Sequence, residues 1–235
     1  LFLKRKLLKE LVKVLMSKIY QFSPSEFAFG YSGCKRCYYD LKVNNIKIQT
    51  GFPSIFAKLD SLQKNFYHNK PSGILNSNKI LPGVIKTDYS KLQTSKVLKD
   101  SKGRSFRLRG KIDAYVDHSN FFSIIDFKVT KLNENKIDTY KTQLISYALM
   151  FENPDDKSLS LSPIKNLGIF CFEPIELIEI KKDPFFKMST MYFDIKRDDK
   201  YFKKFITNIL DFLEGDKPNF TIGCSFCDLK RNDFS

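Results

Sequence analysis

The chain has 235 residues and carries 40 Lys and Arg against 26 Asp and Glu, a formal charge of +14. Aromatic residues at 14% exclude a disordered chain, and 10 Gly with 9 Pro exclude a collagen-like one. No uncharged apolar run reaches the roughly 18 residues of a membrane span. The basic excess points to a polyanionic partner, nucleic acid first, with a lysine-rich solubilising surface as the plain alternative.

Residues 1–19 read as a basic amphipathic helix, because Leu3, Leu7, Leu8, Leu11, Leu15 and Ile19 recur at spacings of three and four. An ordinary surface helix explains that stripe better than a membrane-surface one. The segment is charged throughout and lacks the apolar centre of a signal peptide, so a cytoplasmic or other reducing intracellular compartment is expected. Ser23-Pro24-Ser25-Glu26 opens a second helix. Pro24 suits its first turn and Glu26 completes a capping box, so Glu26 reads as a cap rather than a catalytic acid. Residues 53–67 form another helix with Ile55, Leu59, Leu62 and Phe66 on its apolar face and Asp60 one position beyond. Residues 69–100 read as a long loop with one or two strands. Strands over 106–118 and 121–129 follow, then a helix over 138–150 capped by Asp138. Strands at 167–172 and 176–180 precede a helix over 201–213 that Gly215 and Pro218 end. The order describes a single α/β domain over residues 1–235 with a central mixed sheet.

The residues of most chemical interest lie on the first strand pair. Side chains alternate along a strand, so Asp126 and Lys128 share one face while Ile125, Phe127 and Val129 share the other. A turn at Ser119-Asn120 pairs His118 with Phe121, and the same register carried down the strands sets Asp113 opposite Asp126. Two carboxylates that close repel unless one is protonated or a cation lies between them, and an all-oxygen set suits Mg²⁺ or Mn²⁺. The alternative is an exposed hairpin with an inert surface ion pair. On the next helix Gln143 and Tyr147, four apart, share a face; taken alone they could equally be packing residues.

Together Gly110-x-x-Asp113, Asp126-x-Lys128 and Gln143-x-x-x-Tyr147 resemble the PD-(D/E)XK nuclease superfamily, and within it the RecB-like exonucleases. The resemblance implies a restriction-endonuclease-like core and a deoxyribonuclease. In it Asp113 and Asp126 hold catalytic Mg²⁺ or Mn²⁺, Lys128 assists the attacking water, and Gln143 and Tyr147 contact that water or the DNA. Many RecB-like members carry a metal-binding histidine on the helix before the strands. No histidine lies within residues 53–67 here, and Asp60 is the substitute by position. The implied partner is DNA, single-stranded or with free ends. The rival reading is a non-catalytic nucleic-acid-binding module.

Four of the five cysteines form two C-x-x-C pairs, Cys34/Cys37 and Cys224/Cys227, with nearly the whole chain between them. They can form one site only if the fold brings both ends together, making a cap of residues 22–42 and 218–235. Four thiolates suit tetrahedral zinc or a four-iron four-sulfur cluster. A CRISPR-associated RecB-like group binds such a cluster, so the resemblance leans toward iron–sulfur, although that group divides its cysteines one and three. Cys171, in an apolar run, reads as a core thiol. Tyr38, Tyr39 and Phe226 beside the pairs either stack unpaired bases or pack around the metal.

Overall fold

The computed structural model describes residues 18–47, 53–87, 91–131 and 134–232, so the expected helix over 1–19 falls outside it but for its last two residues. β1 (Tyr20–Phe22) leads into α1 (Pro24–Phe29), α2 (Lys35–Val43) and α3 (Ser54–Tyr67). A 3-10 turn (Ser72–Leu75) precedes the short strands β2 (Val84–Lys86), β3 (Gln93–Thr94) and β4 (Leu98–Lys99). Then come β5 (Ser105–Gly110), β6 (Ala114–Asp117), β7 (Phe122–Val129) and α4 (Glu134–Glu152). The chain closes with β8 (Ile164–Ile180), β9 (Asp183–Ile195), α5 (Asp199–Glu214) and α6 (Ser225–Asn232).

The larger sheet has the order β2-β6-β7-β8-β9 and is mixed: β7 and β8 are parallel, the other neighbours antiparallel. α4 supplies the crossover that a parallel pair requires. A smaller sheet pairs β5 with β1, β3 and β4. The alternation along β7 divides the core. Ile124 packs with Leu144, Ile145 and Phe202 under the helices, whereas Ile125 and Phe127 pack with Tyr67, Phe170 and Phe172 on the opposite face. The fold is thus the expected α/β type with helices flanking a mixed sheet.

Several local expectations change. The expected strand over 106–118 breaks at residues 111–113, which leave the sheet between β5 and β6, so Asp113 stands just before β6 rather than within it. The register is the expected one: Ala114 faces Ile125 and Asp117 faces Phe122. α4 begins at Glu134, which puts Asp138 inside the helix instead of at its cap. The strands expected at 167–172 and 176–180 are one strand, irregular between Pro174 and Glu176 where proline cannot donate to the ladder. β9 went unexpected because most of it is exposed and lacks an apolar period. The described residues between 69 and 100 include three short strands and a 3-10 turn. The apolar stripe of α3 is not its buried face, since Ile55, Leu62 and Phe66 are exposed and Tyr67 makes the core contact.

Gly110 ends β5 where three elements converge. A Cβ there would lie 2.8 Å from Pro24 Cδ and 3.5 Å from Tyr147 Cε1, so glycine allows α1 and α4 to close on the strand that delivers Asp113. Gly110→Val is therefore expected to destabilise the protein by about 1–3 kcal/mol, the usual range for overpacking. Urea denaturation reads this as a lower midpoint with unchanged slope.

Candidate active site and cysteine cluster

β7 and α4 bring four of the five motif residues together. Asp126 lies on the helix-facing side of β7 and is 2% exposed. Its Oδ1 accepts a hydrogen bond from Gln143 Nε2 at 3.2 Å, and its Oδ2 lies 2.5 Å from Lys128 Nζ without an aligned hydrogen bond. Gln143 Oε1 is also buried without a hydrogen bond. Burial pushes the Asp126 carboxyl up to about 7; the Lys128 ammonium opposes this and the Asp113 carboxylate adds to it. Burial would lower the Lys128 ammonium, but Asp126 and Asp113 outweigh it and hold it above the usual range. Tyr147 is buried beside the same acids, and both burial and their charge raise its phenol.

The fifth residue, Asp113, comes in from the bend before β6. Its Oδ2 accepts from the Phe127 backbone N–H at 3.0 Å, which fixes the carboxylate beside Asp126 by a backbone bond rather than by strand pairing. Its Oδ1 lies 2.9 Å from Lys64 Nζ. The same Nζ is 2.9 Å from Asp60 Oδ2, so Lys64 stands between the two acids. Asp60 is on the wall of the cavity but does not join a closed three-carboxylate shell. Among the described residues only the four cysteines bring three or more candidate ligand atoms within 4.8 Å of one another. Sequence reasoning missed Lys64. Its signal was its place one helical turn after Asp60, where an i,i+4 ion pair forms. A cavity of about 590 Å³ opens over the site, lined by Asp60, Lys64, Asp113 and Lys128 together with Phe29 and Phe56.

Residues 77–231 match the family description "PD-(D/E)XK nuclease superfamily". The chain belongs to this superfamily. None of the curated proteins compared matches it. The solved crystal structure of SSO0001 superposes with a TM-score of 0.47 at 13% identity, covering 98% of this chain and 95% of that one. PD-(D/E)XK nucleases act on nucleic acid with divalent metal ions, and the donor set here fits one. Asp113 and Asp126 offer hard oxygens side by side, and Gln143 Oε1 next to them is a buried polar atom still short of a hydrogen bond.

The second cluster joins the ends of the chain. Cys34 Sγ is 3.6 Å from Cys227 Sγ, Cys37 Sγ is 3.6 Å from Cys224 Sγ and 3.8 Å from Cys227 Sγ. Burial would push the Cys34 thiol up, but hydrogen bonds to Thr221, the Cys37 backbone and the neighbouring thiols bring it down to about 6, whereas burial raises Cys37 and Cys227 beside it. Around the cluster Arg36 donates to Asp40 and to the Pro218 carbonyl, and Lys217 reaches Asp40 from the other segment. Tyr38 is not an exposed stacking surface: it is buried, and its hydroxyl donates to Glu26 at 2.8 Å. Glu26 reaches back to the Ser23 N–H at 2.9 Å and takes Lys42, so the cap residue also ties α2 to α1. Cys171 is buried and donates to the Thr130 carbonyl at 2.5 Å, as a core thiol would.

Lys64 competes for the Asp113 oxygen that a bound cation needs. An ammonium about 4 Å from a cation opposes it by several kcal/mol at a surface-like dielectric. Lys64→Met should therefore bind Mn²⁺ at least tenfold more tightly in calorimetric titration. Unchanged affinity would show that Lys64 leaves the site freely.

Proposed function

We propose that the protein is a Mg²⁺- or Mn²⁺-dependent deoxyribonuclease of RecB-like type that degrades DNA from single-stranded or free ends. The observation that carries this reading is the buried Asp126 carboxylate with Lys128 2.5 Å away and Asp113 beside it, Lys128 and Asp113 both lining an open cavity. A charge so buried contributes nothing to folding by itself, and charges in such a place serve chemistry or an ion.

Asp113 and Asp126 would hold the divalent cation, which when bound stabilises the negative charge that grows on the phosphate. The chain's own groups then divide the work. Lys128 Nζ, beside Asp126, orients the attacking water and offsets charge at phosphorus. The Gln143 amide donates to Asp126 Oδ1, fixing that carboxylate beside Lys128, and leaves its own Oε1 free to accept a hydrogen bond. Tyr147 stays protonated, packs against Gly110 and shields the acids from bulk water.

The thiol site supports a single ion more than a cluster. A tetrahedral zinc with Zn–S of about 2.3 Å spaces its sulfurs about 3.8 Å apart, and the three Sγ separations run from 3.6 to 3.8 Å. A four-iron four-sulfur cluster interposes eight atoms and needs the thiolates further apart. We propose zinc here, with the iron–sulfur cluster as the alternative that an absorption spectrum distinguishes. Zinc gives one colourless ion per chain, whereas a brown chromophore would reverse the assignment.

Digestion of end-labelled single- and double-stranded DNA, with and without Mn²⁺, tests the reading. Asp126→Asn and Lys128→Ala should each lower cleavage at least a hundredfold while binding stays salt-sensitive. Full cleavage by both variants, or none by the wild type at any metal concentration, would overturn it in favour of a binding module.

A further inference from the structure

Phe29 sits at the end of α1 with 57% of its surface exposed, a large apolar side chain left in water. It lines the cavity over Asp113 and Lys128, and it also lines a second cavity of about 590 Å³ bordered by Cys34, Cys37, Lys47 and Phe226. One ring therefore forms the divide between the acid pair and the cysteine cluster. Its edge is braced by Tyr140, with centroids 5.8 Å apart and planes at 70°. Tyr140 in turn lies 5.3 Å below Lys128 Nζ. The ring thus has an edge-to-face partner in Tyr140 and more than half of its surface in solvent.

We infer that Phe29 is a base-stacking platform: the nucleobase next to the scissile phosphate lies on its exposed face, and the strand runs from the acid pair across Phe29 toward Lys47 and Phe226. This rests on the nuclease reading and adds to it a specificity-determining residue. Charge favours a nucleic-acid occupant over an apolar peptide. The chain carries a formal charge of +14 and Lys47 lines the second cavity, while in the first Lys64 and Lys128 are balanced by the acids they pair with, Asp60, Asp113 and Asp126. Stacking on Phe29 requires a base whose face is open. A base inside a duplex is already covered on both faces and must first be unstacked.

The test uses the full chain carrying Asp126→Asn, so that binding is read without cleavage. Fluorescence anisotropy compares an oligo-dT strand, the same strand made abasic, an oligo-rU strand and a blunt hairpin duplex. Phe29→Ala should lose about 5- to 100-fold in affinity for oligo-dT, the range of one stacked base. It should lose less than twofold for the hairpin and for the abasic strand, and Phe29→Trp should restore the loss. Equal binding of oligo-rU would assign the platform to any unpaired strand. No loss on oligo-dT, or an equal loss on the hairpin, would overturn the inference. If Phe29→Ala binds normally while Asp126→Asn abolishes cleavage, the stacking role fails and the nuclease reading stands.

Discussion

A carboxylate on the core face of a central strand is the constraint on which this structure turns. Asp126 shares that face with Ile124 and is covered by α4, yet only one of its oxygens is hydrogen-bonded, to Gln143. In a dry core it would be neutralised or replaced. Here the bend at residues 111–113 brings Asp113 beside it and the Phe127 amide locks Asp113 in place. The two acids, together with Lys128, make the charged site that we propose holds a cation. Gly110 permits the close helix packing this needs, and the break between β5 and β6 turns Asp113 out of the sheet toward the cavity.

The cysteine cluster is the distant counterpart of that site. It joins segments at the two ends of the described chain, bringing Cys34 and Cys37 against Cys224 and Cys227. Arg36, Asp40 and Lys217 reinforce it, and the Glu26–Lys42 and Glu26–Tyr38 contacts carry its position through α2 to α1. Phe29 ends α1. The cysteine cluster and the acid pair are therefore connected through a single short helix whose last residue lines both cavities.

Much of the candidate site was legible in the sequence because it rests on short-range rules. The alternation in Asp126-Phe127-Lys128 assigns the shared face, and the turn at Ser119-Asn120 sets the register observed from Ala114 to Asp117. The four-residue spacing of Gln143 and Tyr147 puts both on the buried face of α4. What escaped depends on tertiary context. The apolar stripe of α3 suggested the wrong buried face, because that helix meets the sheet through Tyr67 and turns Asp60 and Lys64 to the cavity. The position of Lys64 between two acids requires the helix and the bend to be placed together, which no local spacing encodes. β9 and the continuity of β8 are set by pairing beyond the core, where exposed residues carry no period. Of the two roles open to Tyr38, stacking and packing, its burial and its bond to the capping Glu26 select packing.

The most direct measurement is a crystal soaked in manganese and examined by anomalous diffraction at the manganese edge. The account requires a peak between the carboxylates of Asp113 and Asp126, with Lys64 moved off the Asp113 oxygen. Carboxylates left without a peak at millimolar manganese, with Lys64 still seated between Asp60 and Asp113, would contradict it.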